Sequence, residues 1–474
     1  MAENAPAPPP ASELKQTVGG WQILFYGLGS MLGAGIYSLI GLASKTLGNA
    51  VWLAFLVAMV AALLTGLSYA CVGSRYAKAG GAAYVTQRSL RKPWLSYVVG
   101  IAVMMSGLTS MATGTQAIAK NLLKALGYAT DAAGQALSDE ALGVPIKLIS
   151  IGLVLLIGCV IYRGLRESMW ANMVCTVVEA SGLLFIIAVG ISWWGGVNYL
   201  ETARDTVEGG PGSGITLAIV MQGAVLTFFS FIGFEDILNV SEEVKNPRRN
   251  VPFGLVGAMI AATLIYMAVA ITAVSVVPWR ELAASPTPLM EVAHRAAPWF
   301  HGIDHVYVAI TIFAIGNTAL LNYIMGSRLL YGMSHQGLLP RVLGKVHPVR
   351  RSPHVAIAVL FGIVSLLILS GGVEQLAEST VLLLLTVFTV VNISLVVLKL
   401  RPGEECGGFE VPVAVPVLGA LVCASLIVVR IQKAVASTVP AERTAPLIAL
   451  GVIAASLVLY LALKPKNVVA AEVE

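Results

Sequence analysis

The chain alternates between long apolar runs and short polar stretches along nearly its whole length. Each run approaches the roughly 20 apolar residues that a helix needs to cross a bilayer, and each ends in charged or Pro/Gly-rich sequence. Twelve spans are predicted, at 20–43, 50–72, 95–119, 146–163, 168–193, 214–240, 252–277, 304–331, 354–371, 376–398, 411–430 and 445–463. The pattern therefore predicts an all-α polytopic membrane protein of about 12 transmembrane helices.

Composition and charge agree with this prediction and add an orientation. Hydrophobic residues make up 57% of the 474 positions and charged residues 12%, with a mean hydropathy of +0.83, which excludes an ordinary soluble domain. Twenty of the thirty Lys and Arg residues lie on one side if the N-terminus is inside. Basic residues collect on the cytoplasmic side, so we expect both termini there, in a multi-pass plasma-membrane protein. The net charge of +5 then needs no nucleic-acid partner.

Neither the two ends of the chain nor the cysteines indicate a functional site. Residues 1–19 are rich in Ala and Pro and lack the basic and apolar regions of a signal peptide, so we expect a disordered cytoplasmic tail. Residues 464–474 are expected to form a second cytoplasmic tail. The five cysteines include no Cys-x-x-Cys pair, so free thiols, no metal site and no cofactor are expected.

Two of the spans are interrupted in their middles, and they are the first and the sixth. The first contains four glycines within nine residues, from Gly27 to Gly35, and the sixth has Gly233 beside two carboxylates. Matching interruptions predict two five-helix repeats, 20–193 and 214–398, the second inverted, followed by two additional helices at 411–463. Gly29 and Gly33 also form a Gly-x-x-x-Gly pair, whose alternative role is close packing of two helices.

Three stretches of the sequence resemble the amino acid-polyamine-organocation superfamily. They are Gly33-Ala34-Gly35-Ile36 in the first span, residues 228–235 and 241–252 in the sixth span and after it, and residues 327–333 and 337–340 after the eighth. The resemblance covers roughly residues 20 to 400 and implies an amino acid permease with the leucine-transporter fold, in which a 5+5 inverted repeat surrounds the substrate.

The chemistry of the two breaks suits a zwitterion. A helix that stops inside the membrane exposes backbone N–H and C=O groups, which must then face a polar cavity or a ligand. The N–H groups at the start of the second half of the first span, in Gly33, Ala34, Gly35 and Ile36, can bind a carboxylate. By resemblance, the carbonyls of Phe229, Ser230 and Ile232 bind the ammonium group, and the Phe234 ring forms a lid.

Two carboxylates are candidates for gating and coupling. By resemblance Glu235, next to Asp236, is a gating residue; the alternative is a solvated carboxylate in the inner vestibule. Glu179 falls near the centre of the fifth span, where an unpaired charge costs at least about 3 kcal/mol. We therefore predict that Glu179 carries the coupling proton; the alternative is a neutral, hydrogen-bonded structural residue.

The coupling ion stays open at this stage. Several proton-coupled relatives carry a Lys at the position taken here as Glu179, and that Lys replaces a sodium ion bound in other members of the fold. The eighth span offers oxygen donors for such an ion in Asn317, Thr318 and Asn322, although amide and hydroxyl groups in membrane helices usually bond to backbone. Sodium coupling is therefore the alternative to proton coupling.

The expected function is secondary active transport of an amino acid by alternating access, with H⁺ as the coupling ion. The rival within transport is an amino acid/polyamine exchanger, whose cationic substrate could use Glu235 and Asp236. Hydroxyl groups of the third span either line the pathway or bond to the preceding turn, namely those of Ser106, Thr109, Ser110, Thr113 and Thr115. A membrane enzyme is disfavoured because no nucleophile or metal spacing accompanies the histidines. An ATP-driven pump is disfavoured because no phosphate-binding loop occurs. A channel, unlike a carrier, would not show saturation or counterflow.

Overall fold

A computed structural model describes residues 14–125, 128, 143–202, 215–285, 287–370, 373–436, 440–463 and 465. Within these residues the secondary structure is helical apart from one isolated β-bridge. The helices are α1 (Gly20–Met31), α2 (Ala34–Leu47), α3 (Val51–Arg75), α4 (Gly81–Leu90), α5 (Pro93–Ala125), α6 (Gly143–Arg163), α7 (Leu165–Gly190), α8 (Leu217–Phe228), α9 (Asp236–Val240), α10 (Pro247–Val276), α11 (Trp279–Ala284), α12 (Pro288–Ala296), α13 (Ile303–His335), α14 (His354–Ser370), α15 (Val373–Leu400), α16 (Ala414–Ala436) and α17 (Pro440–Leu463).

Each of the twelve predicted spans corresponds to helix in the described part of the chain. Ten helical stretches there are long and apolar enough to cross a membrane. The other two spans are the ninth, a shorter apolar helix at His354–Leu369, and the first, which is divided between α1 and α2. The predicted fold class, an all-helical multi-span membrane protein, is confirmed.

Large apolar side chains cover much of the outer surface. Val174, Leu264 and Leu366, for example, lie in the middle of long helices and are each more than half exposed. In water so much exposed apolar surface would be unfavourable, whereas hydrocarbon solvates it without cost. The outward faces of these helices are therefore the lipid-facing surface.

Both predicted breaks are present. The first lies between Met31, where α1 ends, and Ala34, where α2 begins. The second lies between Phe228 and Asp236 and contains one 3-10 turn and the residue Gly233. Gly233 has φ +124°, and a Cβ there would lie 2.5 Å from the Ser30 hydroxyl oxygen. Only glycine fits here for two reasons. Other residues rarely adopt this φ, and the Ser30 hydroxyl leaves no room for a Cβ at this position.

The segment that precedes α1 is ordered against the segment that follows α9. The N–H groups of Thr17 and Val18 donate to the Glu243 carbonyl at 3.0 and 3.1 Å, and the Lys245 N–H donates to the Val18 carbonyl at 2.8 Å. The predicted disordered tail therefore does not include residues 14–19. Residues 1–13 and, except for residue 465, the predicted tail 464–474 lie outside the described residues.

The long helices pack so that spans at corresponding places in the two predicted repeats touch. The second and seventh spans, α3 and α10, lie against each other, as do the third and eighth, α5 and α13, and the fourth and ninth, α6 and α14. Buried apolar side chains from these helices form one continuous core. The two broken spans lie inside this arrangement, which brings their unwound segments together.

Candidate functional site

A cavity of about 120 Å³ lies between the two breaks. The first and sixth spans form one side of it, and α5, α13 and α15 complete the wall. The lining residues are Ser30, Met31, Gly33, Gly35, Val103, Ser106, Gly107, Ser110, Thr113, Phe229, Ser230, Ile232, Gly233, Glu235, Asp236, Thr318, Asn322, Met325, Thr380 and Leu384. Five of the eight residues predicted to bind substrate are therefore brought together, from sequence positions about 200 residues apart.

The start of α2 forms the wall at the first break. Gly33 is its N-cap and, having no side chain, leaves the first N–H groups of the helix uncapped. A Cβ on Gly33 would lie 2.3 Å from the Thr318 hydroxyl, and one on Gly35 would lie 3.2 Å from Ser230. Glycine thus lets the backbone approach both neighbours and keeps this helix end open to the cavity. Ile36 is fully buried and does not line the cavity, and the Ala34 side chain lies outside what the structure describes.

Two backbone carbonyls at the second break already accept hydrogen bonds within the protein. The Phe229 carbonyl accepts the Ile232 N–H at 3.1 Å, and the Ser230 carbonyl accepts the Tyr266 hydroxyl at 3.0 Å. A carbonyl oxygen has two lone pairs, so each can accept a further donor from a ligand. The Ser230 hydroxyl is buried and has no hydrogen-bond partner in the described part of the chain, so it is free to bind a ligand group in the cavity.

Tyr266, on α10, connects the two breaks. Its hydroxyl contacts the Met31 carbonyl at the end of α1 as well as the Ser230 carbonyl. One hydroxyl has a single proton, so the two carbonyls share or exchange one donor. The Phe55 and Phe231 rings pack against the fully buried Tyr266 ring and hold it in place.

Both carboxylates of the second break face the cavity. Glu235 Oε2 accepts the Gly233 N–H at 2.8 Å, and Asp236 Oδ2 accepts the Ser30 hydroxyl at 2.9 Å. Among the described residues that line the cavity there is no Lys, Arg or His to balance their charge. The site can therefore bind protons or the positive group of a ligand.

The Phe234 ring lies behind this wall. It is fully buried, with its centroid 5.5 Å from that of Tyr69 and 5.2 Å from that of Phe388, and it is not among the lining residues. In this conformation the ring packs within the helix bundle, so a lid role requires it to leave the Tyr69–Phe388 cluster.

The third and eighth spans contribute hydroxyl and amide groups. Ser106, Ser110 and Thr113 line the cavity, as do Thr318 and Asn322. Thr113 also donates to the Thr109 carbonyl at 2.9 Å, so facing the cavity and bonding to the preceding turn do not exclude each other.

The remaining two hydroxyls of that predicted set bond to backbone. Thr109 donates to the Met105 carbonyl at 2.7 Å and Thr115 to the Met111 carbonyl at 2.9 Å. The periodicity of the helix assigns these groups to the preceding turn, and neither side chain lines the cavity.

Glu179 lies outside the cavity, buried on α7. Neither carboxylate oxygen has a hydrogen-bond partner among the described residues. The Tyr37 and Tyr266 hydroxyls and the Cys175 thiol lie within electrostatic range of a charge on Glu179. Of these three residues, Tyr266 also contacts the backbone at both breaks.

A second buried polar cluster lies beside the first break. Thr176 Oγ1 accepts the Asn317 amide at 3.2 Å and lies 3.2 Å from the Asn172 amide oxygen. A Cβ on Gly29 would lie 2.2 Å from Thr176 Oγ1, so Gly29 allows close packing here, which is the alternative that the sequence left open. Asn317, one of the predicted oxygen donors, faces this cluster and not the cavity.

The sequence did not single out Ser30 or Tyr266. The signal for Ser30 was a polar residue among the glycines of the first break. Tyr266 lies in an uninterrupted apolar helix, where a single aromatic residue does not indicate a functional site.

Comparison with known proteins agrees with this geometry. The sequence profile of the amino acid permease family matches residues 18–461. The chain is 27% identical to the branched-chain amino acid permease BcaP of Bacillus subtilis over 424 residues, covering 87% of this chain and 88% of that protein. It is 28% identical to the methylthioribose transporter of Bacillus subtilis over 440 residues, covering 89% and 90%.

A eukaryotic relative is also similar to the chain. The cationic amino acid transporter 4 of Mus musculus is 28% identical over 409 residues, which cover 83% of this chain but 62% of that longer protein. The residues matched by the family profile, 18–461, include both breaks and all the residues that line the cavity between them.

Proposed function

The chain belongs to the amino acid permease family, and from that premise we propose that it carries an α-amino acid across the membrane by alternating access. Family membership identifies a membrane transporter and not an enzyme. The observation that carries the proposal is the cavity between the two breaks, with the uncapped start of α2 on one wall and the 229–232 backbone on another.

The proposed binding mode uses both walls. The substrate carboxylate binds the N–H groups at Gly33 to Ile36, where the helix dipole adds positive charge. The ammonium group binds the carbonyls of Phe229, Ser230 and Ile232 and lies near Glu235. The unpaired Ser230 hydroxyl supplies a further hydrogen bond.

The test uses purified protein in liposomes and a panel of labelled amino acids. We expect saturable uptake and counterflow of at least one α-amino acid, with weak competition from its methyl ester and from its decarboxylated amine. Both analogues lose the carboxylate that α2 would bind, so they should compete at least tenfold less well. Equal competition by the decarboxylated amine would refute the proposed carboxylate site.

A cationic substrate is the second candidate, and one observation favours it. Glu235 and Asp236 both line the cavity, and no basic residue lies among its described lining residues. An amino acid with a positive side chain, or a polyamine, would pair with this charge. In the same panel, this candidate requires that lysine, arginine or a polyamine outcompetes neutral amino acids.

For coupling, we propose that Glu179 carries the proton. An unpaired carboxyl in an apolar interior favours its neutral form, and loading a proton there removes the cost of a buried charge. Protonation would change the electrostatic field at Tyr266, whose hydroxyl contacts Met31 and Ser230 at the two breaks.

The coupling experiment compares Glu179→Gln with wild type in liposomes. The variant mimics the permanently protonated form, so exchange should persist while uptake driven by a pH gradient is lost. Glu167→Gln, on the exposed first turn of the same helix, is the matched control. A wild-type response of Glu179→Gln to the pH gradient assigns this residue a structural role. A requirement for sodium would place the coupling site near Thr318.

The orientation and the repeats complete the proposal. We propose that both termini are cytoplasmic in the plasma membrane and that 20–193 and 214–398 are inverted repeats. The contacts between corresponding spans support the repeats, since equivalent helices near a two-fold axis meet each other. Cys406, exposed in the loop before α16, tests the orientation. A membrane-impermeant thiol reagent should label it only from the cytoplasmic side.

A further inference from the structure

A second cavity, of about 530 Å³, lies where α13 and α14 leave the helix bundle. Its lining comes from the end of α13, the connecting loop and the first residue of α14, and consists of Ser334, His335, Arg341, Gly344, Lys345, Val346 and His354. It shares no lining residue with the cavity between the breaks. The proposed transport function assigns it no role.

The charge of this second cavity is positive. Four of its seven lining residues are basic: one guanidinium, one ammonium and two imidazoles. Its described lining residues include no Asp or Glu. In the described part of the chain neither Arg341 nor Lys345 is paired with a carboxylate, and both are exposed. The two permanent cations are thus available to an anion.

The loop that carries these cations has a fixed shape. The Ser334 hydroxyl donates to the Pro340 carbonyl at 2.9 Å, and the Leu338 N–H donates to the Met333 carbonyl at 3.0 Å. A Cβ on Gly344 would lie 3.2 Å from the His335 ring, so the loop backbone closes directly against that imidazole. The cavity is therefore built by specific contacts and does not depend on a mobile surface loop.

The start of α14 adds to the positive potential. His354 is its first residue, and the aligned N–H groups of a helix N-terminus attract anions. His354 Nδ1 has no hydrogen-bond partner among the described residues. A helix end, two imidazoles, a guanidinium and an ammonium together match a phosphate group, whose oxygens accept several charge-assisted hydrogen bonds.

The position of the second cavity indicates which kind of phosphate compound it binds. The ends of two membrane helices meet at this cavity, so it lies at the level where lipid headgroups are found. Val342 and Val349, on the same loop, are 53% and 84% exposed, so both side chains are available to contact lipid. We propose that this second cavity binds the phosphate headgroup of an anionic membrane lipid.

The experiment uses the full-length protein, delipidated in an uncharged detergent. Its melting temperature is measured against phosphatidylglycerol, phosphatidylcholine with the same acyl chains, glycerol 1-phosphate and inorganic phosphate. Phosphatidylglycerol should raise the wild-type melting temperature by at least about 2 °C beyond phosphatidylcholine, because a ligand that binds only the folded state stabilises it. The two soluble phosphates should give little shift at the same concentrations.

Variants test whether the phosphatidylglycerol shift depends on the second cavity. R341Q/K345Q should lose more than half of the phosphatidylglycerol shift, as should H335Q/H354Q, which leaves the permanent cations in place. The matched control R91Q/K92Q removes an exposed guanidinium and an exposed ammonium between α4 and α5, away from this loop, and should keep the shift. Equal loss in this control, or no lipid preference in wild type, overturns the proposal. A full shift with inorganic phosphate or glycerol 1-phosphate also overturns it, because the site would then take a soluble anion.

Discussion

The Ser30 hydroxyl donates a 2.9 Å hydrogen bond to Asp236 Oδ2, and this bond joins the last turn of α1 to the first turn of α9. Both residues line the central cavity, so the bond ties the two broken spans together at the proposed substrate site. If the two broken spans separate at this point, the hydrogen bond must break; if they move together, it can be kept.

Ser30→Ala should therefore weaken both folding and transport. It leaves the Asp236 acceptor buried without its partner, which costs about 1–3 kcal/mol in stability. A thermal-unfolding cycle with Asp236→Asn and the double variant measures the coupling between the two residues. Strictly additive effects of the two changes would show that the hydrogen bond contributes nothing.

Tyr266→Phe removes the donor that both breaks share while keeping the packed ring. A neutral hydrogen bond contributes about 0.5–1.5 kcal/mol, so we expect a several-fold fall in transport rate and a small loss of stability. Tyr323→Phe is the control, since that hydroxyl donates to the Ile357 carbonyl at 2.7 Å outside the cavity. Equal effects of both variants on transport would contradict a special role for Tyr266.

Gly35→Val should abolish substrate binding. Its Cβ would lie 3.2 Å from Ser230 and 3.5 Å from the Phe229 ring, inside the proposed site, and valine adds two methyl groups. Gly35→Ala should give an intermediate loss. The control is Gly362→Val on α14, where a Cβ meets nothing within 4 Å. Binding is measured in detergent on folded protein, and normal affinity in Gly35→Val would remove the first break from the site.

The ion pair between Arg328 and Glu243 is buried, with an Nε to Oε2 distance of 3.0 Å and side chains 0% and 2% exposed. Arg328→Met leaves a buried carboxylate unpaired and should cost about 3–5 kcal/mol in stability. R328M/E243M should recover much of that loss. As a control, Arg248 and Glu405 form an exposed pair, so Arg248→Gln should change stability by no more than about 1 kcal/mol.

The loop before α16 is held to α3 by Glu410. Burial alone would raise the pKa of this carboxyl, but hydrogen bonds from Arg75, Lys399 and the Gly407 N–H outweigh it and lower the pKa to about 2. The folded-state pKa is below the unfolded value of about 4.3, so the carboxylate contributes stability above that value and loses it as the pH falls towards 2.

Glu410→Gln should accordingly lower the melting temperature at neutral pH. It should also flatten the decline of the melting temperature between about pH 4.3 and pH 2, because the variant has no proton to take up at this position. Glu405→Gln, an exposed neighbour, should leave the profile unchanged. A wild-type pH profile in Glu410→Gln would contradict the proposed contribution.

By itself the sequence determined the architecture. Hydropathy is a property of each segment, so the twelve spans could be located without knowing how they pack. The breaks were also visible, because glycine and carboxylates are costly in the middle of a membrane helix unless they serve a cavity. Both features depend on local composition, and the first-span and sixth-span motifs led to the family.

Contacts between residues far apart in the sequence could be identified only from the tertiary structure. Ser30 and Asp236 are 206 positions apart, and Tyr266 reaches a carbonyl 235 positions away. Phe234 packs against Tyr69 and Phe388, although its motif suggested the cavity. Hydropathy shows that a side chain lies in the membrane, but only the packing of helices from both halves of the chain decides which buried groups meet.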